Sequence, residues 1–183
     1  MQKLFLLLTA LFTGILGFSQ GRVFTKSAAI SFFSKTPAEN IEAHNKHAVT
    51  VLDQSTGEVE FSVLMKGFEF EKALMQEHFN ENYVESDQFP KAVFKGKINE
   101  PANVNYSKDG HYKSTVTGKL SLHGVTKEIT APVVVVIAGA VITASSEFSL
   151  TLSDYKIAVP SLVKDKISNT VKITVISRYQ PLN

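Results

Sequence analysis

Alternation of apolar and polar residues with a period of two dominates this chain. In "VEFSVLM", Val59, Phe61 and Val63 alternate with charged or polar neighbours, and "EFSLTL" and "TVKITV" repeat the pattern further along the chain. Such alternation is typical of strands with one buried face and one solvated face. It predicts about eight strands, which lie within residues 24–32, 47–52, 59–65, 91–98, 114–122, 128–136, 147–152 and 170–175. In the first of these strands, one face is expected to carry the even positions Phe24, Lys26, Ala28, Ile30 and Phe32.

Short turn signals separate most of these segments, for example "DQSTG" at 53–57, "SKDG" at 107–110 and "AG" at 138–139. Gaps of hairpin length favour antiparallel pairing between consecutive strands. Two architectures satisfy this pattern: a sandwich of two sheets, or a closed barrel whose apolar faces point into its interior. An eight-stranded barrel can hold one small ligand. The alternation alone does not distinguish the two.

One segment departs from the alternation. In "FEKALMQEHFNENY", residues 70–83, the apolar residues Phe70, Ala73, Leu74 and Phe79 follow helical spacing, and the segment contains no Gly or Pro. This spacing predicts one helix of about three turns over residues 70–83.

The N-terminus has the pattern of a secretory signal peptide. Lys3 precedes the apolar run "LFLLLTALFTGILGF" at residues 4–18, and no further charge occurs before Arg22. A basic start followed by a short apolar run is typical of such leaders, whereas a membrane span needs about 20 apolar residues.

Small residues indicate where the leader would be cleaved. Gly17 and Ser19 fit the small-residue rule for cleavage after Ser19, and cleavage after Gln20 is the alternative. We therefore expect residues 1–19 to be a signal peptide and residues 20–183 to be a single mature domain that is periplasmic or secreted. No repeat or linker divides that domain.

Charge and cysteine content exclude several classes of function. The chain has 19 Lys and Arg against 17 Asp and Glu, a formal net charge of +2, so it has no basic surplus for a nucleic acid backbone. It contains no Cys, which excludes disulfides and thiolate chemistry. A domain of this length must therefore rely on an apolar core for its stability.

The polar residues form no recognisable catalytic or metal-binding motif. Ser161 and Lys164 in "SLVK" match a bare Ser-x-x-Lys pattern, but neither Ser-Asp-Asn nor Lys-Thr-Gly accompanies it. His44 and His47 lie in a polar stretch that we interpret as a solvated loop entering a strand, and a zinc site would need a third ligand. The sequence therefore predicts no catalytic residue, no metal ligand and no cofactor.

The stretch "LSLHGVTKEIT", residues 120–130, raises the question of whether His123 is a catalyst. His123 and Gly124 stand between two alternating runs, where the chain must reverse direction. Gly124 can take a positive φ there without steric cost. We interpret His123 as a hairpin residue whose ring hydrogen-bonds locally and holds the turn.

Two stretches resemble the YceI-like family of exported lipid- or polyisoprenoid-binding proteins. They are "HFNENYVESDQFPKAVFKGKI" at 78–98 and "VTGKLSLHGVTKEITAPV" at 116–133, and the run "G-K-L-S-L-H-G-V-T-K" is the most specific mark. The resemblance extends over about residues 23–179. It implies an all-β, lipocalin-like antiparallel barrel of eight strands, a helix over one end, a long apolar tunnel and no catalysis.

The resemblance also implies a ligand and a role. The tunnel would hold a hydrophobic small molecule such as a polyisoprenoid, a prenyl quinone or a fatty-acyl lipid, in a carrier or sequestering protein of the cell envelope that can form a homodimer. Two alternatives stay open: an envelope interaction protein without a lumen, and a hydrolase with an unrecognised site. The predicted ligand-binding residues, for which core packing is the competing role, are Phe32, Phe61, Val63, Met65, Leu74, Met75, Phe94, Leu120, Phe148, Leu150, Val171 and Ile173.

Overall fold

The computed structural model describes residues 21–181, so the predicted signal peptide at residues 1–19 lies outside the described residues. Strands make up most of this part of the chain. They are β1 (Arg22–Lys35), β2 (Asn40–Asp53), β3 (Glu58–Leu64), β4 (Glu69–Phe70), β5 (Lys91–Ile98), β6 (Gly110–Leu122), β7 (Val125–Ala138), β8 (Val141–Thr151) and β9 (Thr170–Pro181).

Eight of these strands close into an antiparallel barrel. The order of hydrogen-bonded neighbours is β1-β9-β8-β7-β6-β5-β3-β2, and β1 also pairs with β2. Closure leaves no free sheet edge in the ring. The two-residue β4 pairs with β2 at Ala43 and His44, beyond the stretch from Val49 to Leu52 that pairs with β3. The barrel prediction is therefore confirmed, and the sandwich is excluded.

The two ends of the barrel differ. One end carries the two-residue turn at His123 and Gly124, the β1–β2 hairpin and the long β3–β5 and β8–β9 connections. We call this the helical end, because the β3–β5 connection contains the helix. The other end, which we call the packed end, is filled by a cluster of buried side chains: Val23, Leu52, Ile98, Val104, Val116, Ala131, Val133, Val135, Ile137, Ile142 and Tyr179.

The predicted helix is confirmed in place but is shorter than expected. Helix α1 spans Ala73–His78 and continues as one π-helical turn over Phe79–Tyr83. Phe70 lies in β4 instead, where it pairs with Ala43. Its backbone N–H also donates to Gln76 Oε1 at 3.3 Å. The apolar spacing places Phe70 in the first helical turn, whereas in the structure Phe70 pairs with β2 and the helix begins three residues later.

The expected register of the first strand is wrong before Ala28. The alternation placed Phe24 and Lys26 on the apolar face with Ala28, but the β1–β2 register shifts between Thr25 and Ala28. An irregularity of this kind moves the preceding residues to the opposite face. Val23 and Thr25 are therefore buried, and Lys26 is exposed.

The polar stretch that contains His44 and His47 is not a loop. It belongs to β2, which begins at Asn40. Ala43 and Asn45 are buried on its inner face, while both histidines are exposed on its outer face. Asn45 is satisfied there because its amide donates to the Leu64 carbonyl oxygen and accepts from the His47 N–H. The strand looks polar in sequence because a buried, hydrogen-bonded asparagine adds to the polar residues of its outer face.

A pair of glycines shapes the wall between β5 and β6. Gly96 lies opposite Gly118. A Cβ atom on either glycine would overlap the ring of Phe94, and one on Gly118 would also overlap the backbone of Gly96 and Lys95. The two glycines therefore leave space for the Phe94 ring. The ring packs over both glycines on the inner wall, as aromatic side chains often do over glycines in strands.

We expect Gly118→Ala to lower the free energy of unfolding by about 1–3 kcal/mol, because the added methyl group has no free volume. Lys119→Ala, one residue away on the exposed face, should change it by less than about 0.5 kcal/mol. Chemical denaturation of both variants measures this difference. Equal stability of the two variants would contradict the packing described here.

Candidate functional site

The barrel contains a cavity of about 540 Å³, which we call the lumen, and every strand of the ring contributes to its lining. Leu74 of α1 lines it with 60% of its surface exposed, so the lumen meets solvent at the helical end. Inward-facing residues recur every second position along the strands, as strand geometry requires. The result is a deep, mostly apolar pocket that is closed at the packed end.

All the residues that the sequence singled out for ligand binding lie around this lumen. Ten of them come from strands or the turn that follows β3, and Leu74 and Met75 come from α1. Contact of each side chain with a ligand stays a prediction. The set that the structure brings together is Phe32, Phe61, Val63, Met65, Leu74, Met75, Phe94, Leu120, Phe148, Leu150, Val171 and Ile173.

Four phenylalanine rings pack together in the wall beneath α1. Phe32 contacts Phe68, Phe70 and Phe79 with ring centroids 5.5–5.7 Å apart, and Phe70 and Phe79 are 5.1 Å apart. Such tilted, edge-on and stacked arrangements are favourable for aromatic pairs. Sequence reasoning missed Phe68, Phe70 and Phe79 as lumen residues because they lie outside the long alternating strands. The apolar spacing of residues 70–83 was the signal that could have found two of them.

The rim of the lumen is charged. Glu39, Lys72, His78 and Lys166 all line it at the helical end. Lys72 Nζ donates to Glu39 Oε1 at 3.2 Å, but the Lys72 side chain is 62% exposed. An ion pair with this much exposure contributes little to stability. These side chains surround the entrance. Within residues 21–181, no charged side chain lines the inner wall.

Three hydroxyls gather at the inner end of the lumen, which we call the hydroxyl trio: Thr50, Ser177 and Tyr179. Thr50 Oγ1 and the Tyr179 hydroxyl oxygen share a hydrogen bond at 3.2 Å. Burial raises the pKa of Tyr179, and hydrogen bonds from Thr50 and Ser177 oppose that shift with a smaller effect. Sequence reasoning missed the trio, although Ser177 visibly interrupts the apolar series along β9.

His123 is a hairpin residue, as the sequence predicted. His123 has a φ of 49° and Gly124 a φ of 71°, the two positive values of a tight two-residue turn between β6 and β7. The expectation of a local hydrogen bond from its ring is wrong. Nδ1 pairs with the Tyr155 carbonyl oxygen at 3.0 Å and Nε2 with Glu85 Oε2 at 2.7 Å. The ring therefore joins the two long connections at the helical end.

The surroundings of His123 indicate a structural role. Its side chain is only 9% exposed, and the Phe89 ring packs edge-on against it at 4.6 Å. Both partner oxygens are acceptors, and a neutral imidazole has a single N–H with which to donate to one of them. No hydroxyl side chain is among its hydrogen-bond partners in the described residues. The turn projects the ring into the gap between the two connections.

The other chemical candidates remain separate in space. Ser161 and Lys164 lie in and just after an exposed turn in the β8–β9 connection. His44 and His47 face solvent from the outer surface of β2. Within residues 21–181, no cluster of three His, Asp or Glu side chains could hold a metal ion.

Comparison with known proteins now identifies the family. The model of the family described as "YceI-like domain" matches residues 19–177. The chain belongs to the YceI-like family. Comparison with curated proteins gave no match. Across residues 21–181, the longest apolar helix falls short of what a bilayer crossing requires.

Solved structures show the same YceI-like fold at low sequence identity. A polyisoprenoid binding domain from Saccharophagus degradans, implicated in plant cell wall breakdown, is 14% identical with a TM-score of 0.76 over 88% of this chain and 99% of that one. Burkholderia cenocepacia BcnA is 18% identical with a TM-score of 0.69 over 84% and 96%. The Campylobacter jejuni YceI protein is 16% identical with a TM-score of 0.60 over 76% and 85%.

We expect His123→Asn to lower the free energy of unfolding by about 1–3 kcal/mol, because it removes the ring and its contacts with the Tyr155 carbonyl oxygen and Glu85 Oε2. Asn tolerates the left-handed backbone, so the variant isolates the loss of the ring. His111→Asn, on the exposed outer face of β6, is the matched control and should be neutral. Thermal unfolding of both variants measures the effect, and equal midpoints would refute the bridging role.

Proposed function

We propose that this YceI-like protein binds a long apolar ligand in its lumen and acts as a carrier or sequestering protein without catalysis. The observation that carries this proposal is the open, apolar-walled cavity of about 540 Å³. Pockets of this size are within the range of those that bind small molecules. The polyisoprenoid binding named for the Saccharophagus degradans domain supports the same ligand class.

Burial of the ligand provides the binding energy. Each CH₂ group removed from water contributes about 0.8 kcal/mol, so ten of them contribute about 8 kcal/mol. Association costs several kcal/mol in lost motion and side-chain ordering. A chain of this length therefore binds with a surplus even without specific polar contacts. Met65 and Met75 can adapt the wall to an irregular ligand, since methionine side chains fill uneven gaps.

The volume of the lumen sets the length of chain that it can enclose. At about 30 Å³ for each water-sized group, a cavity of about 540 Å³ holds on the order of 18 such groups. A fatty-acyl chain or a short prenyl chain of that size fits inside. A longer polyisoprenoid or prenyl quinone would extend through the helical end into solvent or a partner.

The two alternative functions have weaker support. The cavity of about 540 Å³ favours ligand binding over an interaction protein without a lumen. A hydrolase would need a nucleophile and a base in contact. His123 bridges two connections through its ring nitrogens. Ser161 and Lys164 lie in and just after an exposed turn of the β8–β9 connection.

We propose in addition that the protein acts in the cell envelope after export. The apolar leader at residues 4–18 supports this proposal, and the homodimer implied by the family resemblance stays a prediction. The intact mass of protein recovered from the periplasm or medium should correspond to a chain that begins at Gln20 or Gly21. Recovery of the full-length chain in the cytoplasm would overturn the export proposal.

We expect Ile173→Trp to abolish ligand capture, because the indole fills part of the lumen. Ile176→Trp on the same strand is the matched control, since Ile176 is 49% exposed on the outer face. Native mass spectrometry of each protein, purified from the cells that make it, compares the bound apolar molecules. The wild type and Ile176→Trp should carry ligand, and Ile173→Trp should not.

Circular dichroism first establishes that both tryptophan variants fold. Equal ligand loads in folded Ile173→Trp and folded Ile176→Trp would place the binding site outside the lumen. A ligand-free wild-type protein that also fails to take up added lipid would refute lipid binding itself.

A further inference from the structure

The hydroxyl trio is an unusual feature of an otherwise apolar pocket. Thr50 and Ser177 are 1% and 3% exposed, and Tyr179 belongs to the core cluster of the packed end. All three line the lumen at the end opposite to the entrance. Buried polar groups are costly unless they are hydrogen-bonded, so a concentration of three hydroxyls at this point needs a physical account.

The internal hydrogen bonds of the trio do not use all of its donors. Tyr179 shares a hydrogen bond with Thr50 at 3.2 Å, and Ser177 lies two residues before Tyr179 on β9. Three hydroxyls have three O–H groups, so even a second bond, between Ser177 and Tyr179, would leave one of them unused. Neither Thr50 nor Ser177 has another side-chain hydrogen bond within the described part of the chain. At least one donor, together with free lone pairs, thus remains at the inner end of the lumen.

Two other serines of the lumen lining, Ser34 and Ser146, differ from the trio because their bonds are made locally. Ser146 Oγ donates to the Pro132 carbonyl oxygen at 2.7 Å, and Ser34 Oγ accepts from the Ser168 N–H at 2.9 Å. These two serines therefore hold neighbouring backbone segments. The trio is a set of three neighbouring hydroxyls at the inner end that retains capacity for a ligand.

The charge distribution limits which polar group can bind there. The charged side chains of the lining, Glu39, Lys72 and Lys166, and the titratable His78 all lie at the rim. No cation lines the inner end within residues 21–181 to neutralise a carboxylate or phosphate. Burial of an unpaired charge is far more costly than burial of a hydrogen-bonded neutral group. The inner end therefore favours a hydroxyl, carbonyl or amide.

We propose that the hydroxyl trio binds the uncharged polar end group of an apolar ligand, which enters the lumen with that group first and leaves its tail toward the helical end. This inference rests on the lumen being the lipid site and adds the class and orientation of the ligand. The opposite orientation would place the end group at the rim. There Lys72 is already paired with Glu39, and both Lys72 and Lys166 are exposed to water.

Displacement of the neutral fluorophore N-phenyl-1-naphthylamine from the full mature protein tests this proposal. The competitors are 1-tetradecanol, tetradecane and tetradecanoate at pH 8, whose tails fit the lumen and differ only in the end group. The variant Tyr179→Phe removes one hydroxyl and keeps the ring. The matched control is Tyr112→Phe, whose hydroxyl donates to the Lys108 carbonyl oxygen outside the lumen.

We expect Tyr179→Phe to weaken 1-tetradecanol binding by about threefold to tenfold, the effect of one lost hydrogen bond. Tetradecane and tetradecanoate affinities should change by less than about twofold, because neither ligand makes that bond. Tyr112→Phe should change none of the three. If Tyr179→Phe does not fold, Thr50→Val removes a second member of the trio with little change in shape and should give the same pattern.

The outcomes separate this inference from the lipid-binding proposal. If Tyr179→Phe changes the affinities for 1-tetradecanol and tetradecane equally, or changes neither, the role of the trio is overturned and lumen binding stands. A carboxylate that loses as much affinity as the alcohol would overturn the preference for a neutral end group. Failure of every competitor to displace the probe would overturn both proposals.

Discussion

Pairing of β1 with β2 is the interaction on which the rest of this structure depends. The two longest neighbouring strands pair from Arg22 opposite Asp53 to Lys35 opposite Asn40, and this pairing joins the first strand of the sheet to the last. Without it, two open edges would remain, and the apolar face would have to collapse onto itself. With it, eight strands enclose an interior wide enough for one small ligand.

Closure turns the inner face of the sheet into the wall of a lumen. Local features then determine the shape and polarity of that lumen. The Gly96–Gly118 pair lets the Phe94 ring lie flat against the wall. The core packed by Leu52 and Ile142 seals one end, while His123 joins the connections beside the other. The cavity is therefore built from apolar walls, a charged entrance and a polar inner end.

Part of this arrangement could be predicted from the sequence: alternation predicts the strands, and the resemblance to the YceI-like family implies the closed barrel. The strand residues of the predicted ligand-binding set lie around the lumen, and His123 with Gly124 marks the turn. What the sequence does not reveal depends on contacts between distant segments. The shift between Thr25 and Ala28 is set by pairing with β2. The partners of the His123 ring lie 32 and 38 residues away along the chain.

The central claim is that the lumen encloses an apolar chain. A crystal structure of the protein purified from the cells that make it tests this claim most directly. We expect a continuous tube of non-protein density that begins at Tyr179 and leaves the barrel beside Phe79. A lumen filled with ordered water, or collapsed so that its side chains occupy the space, would contradict the account.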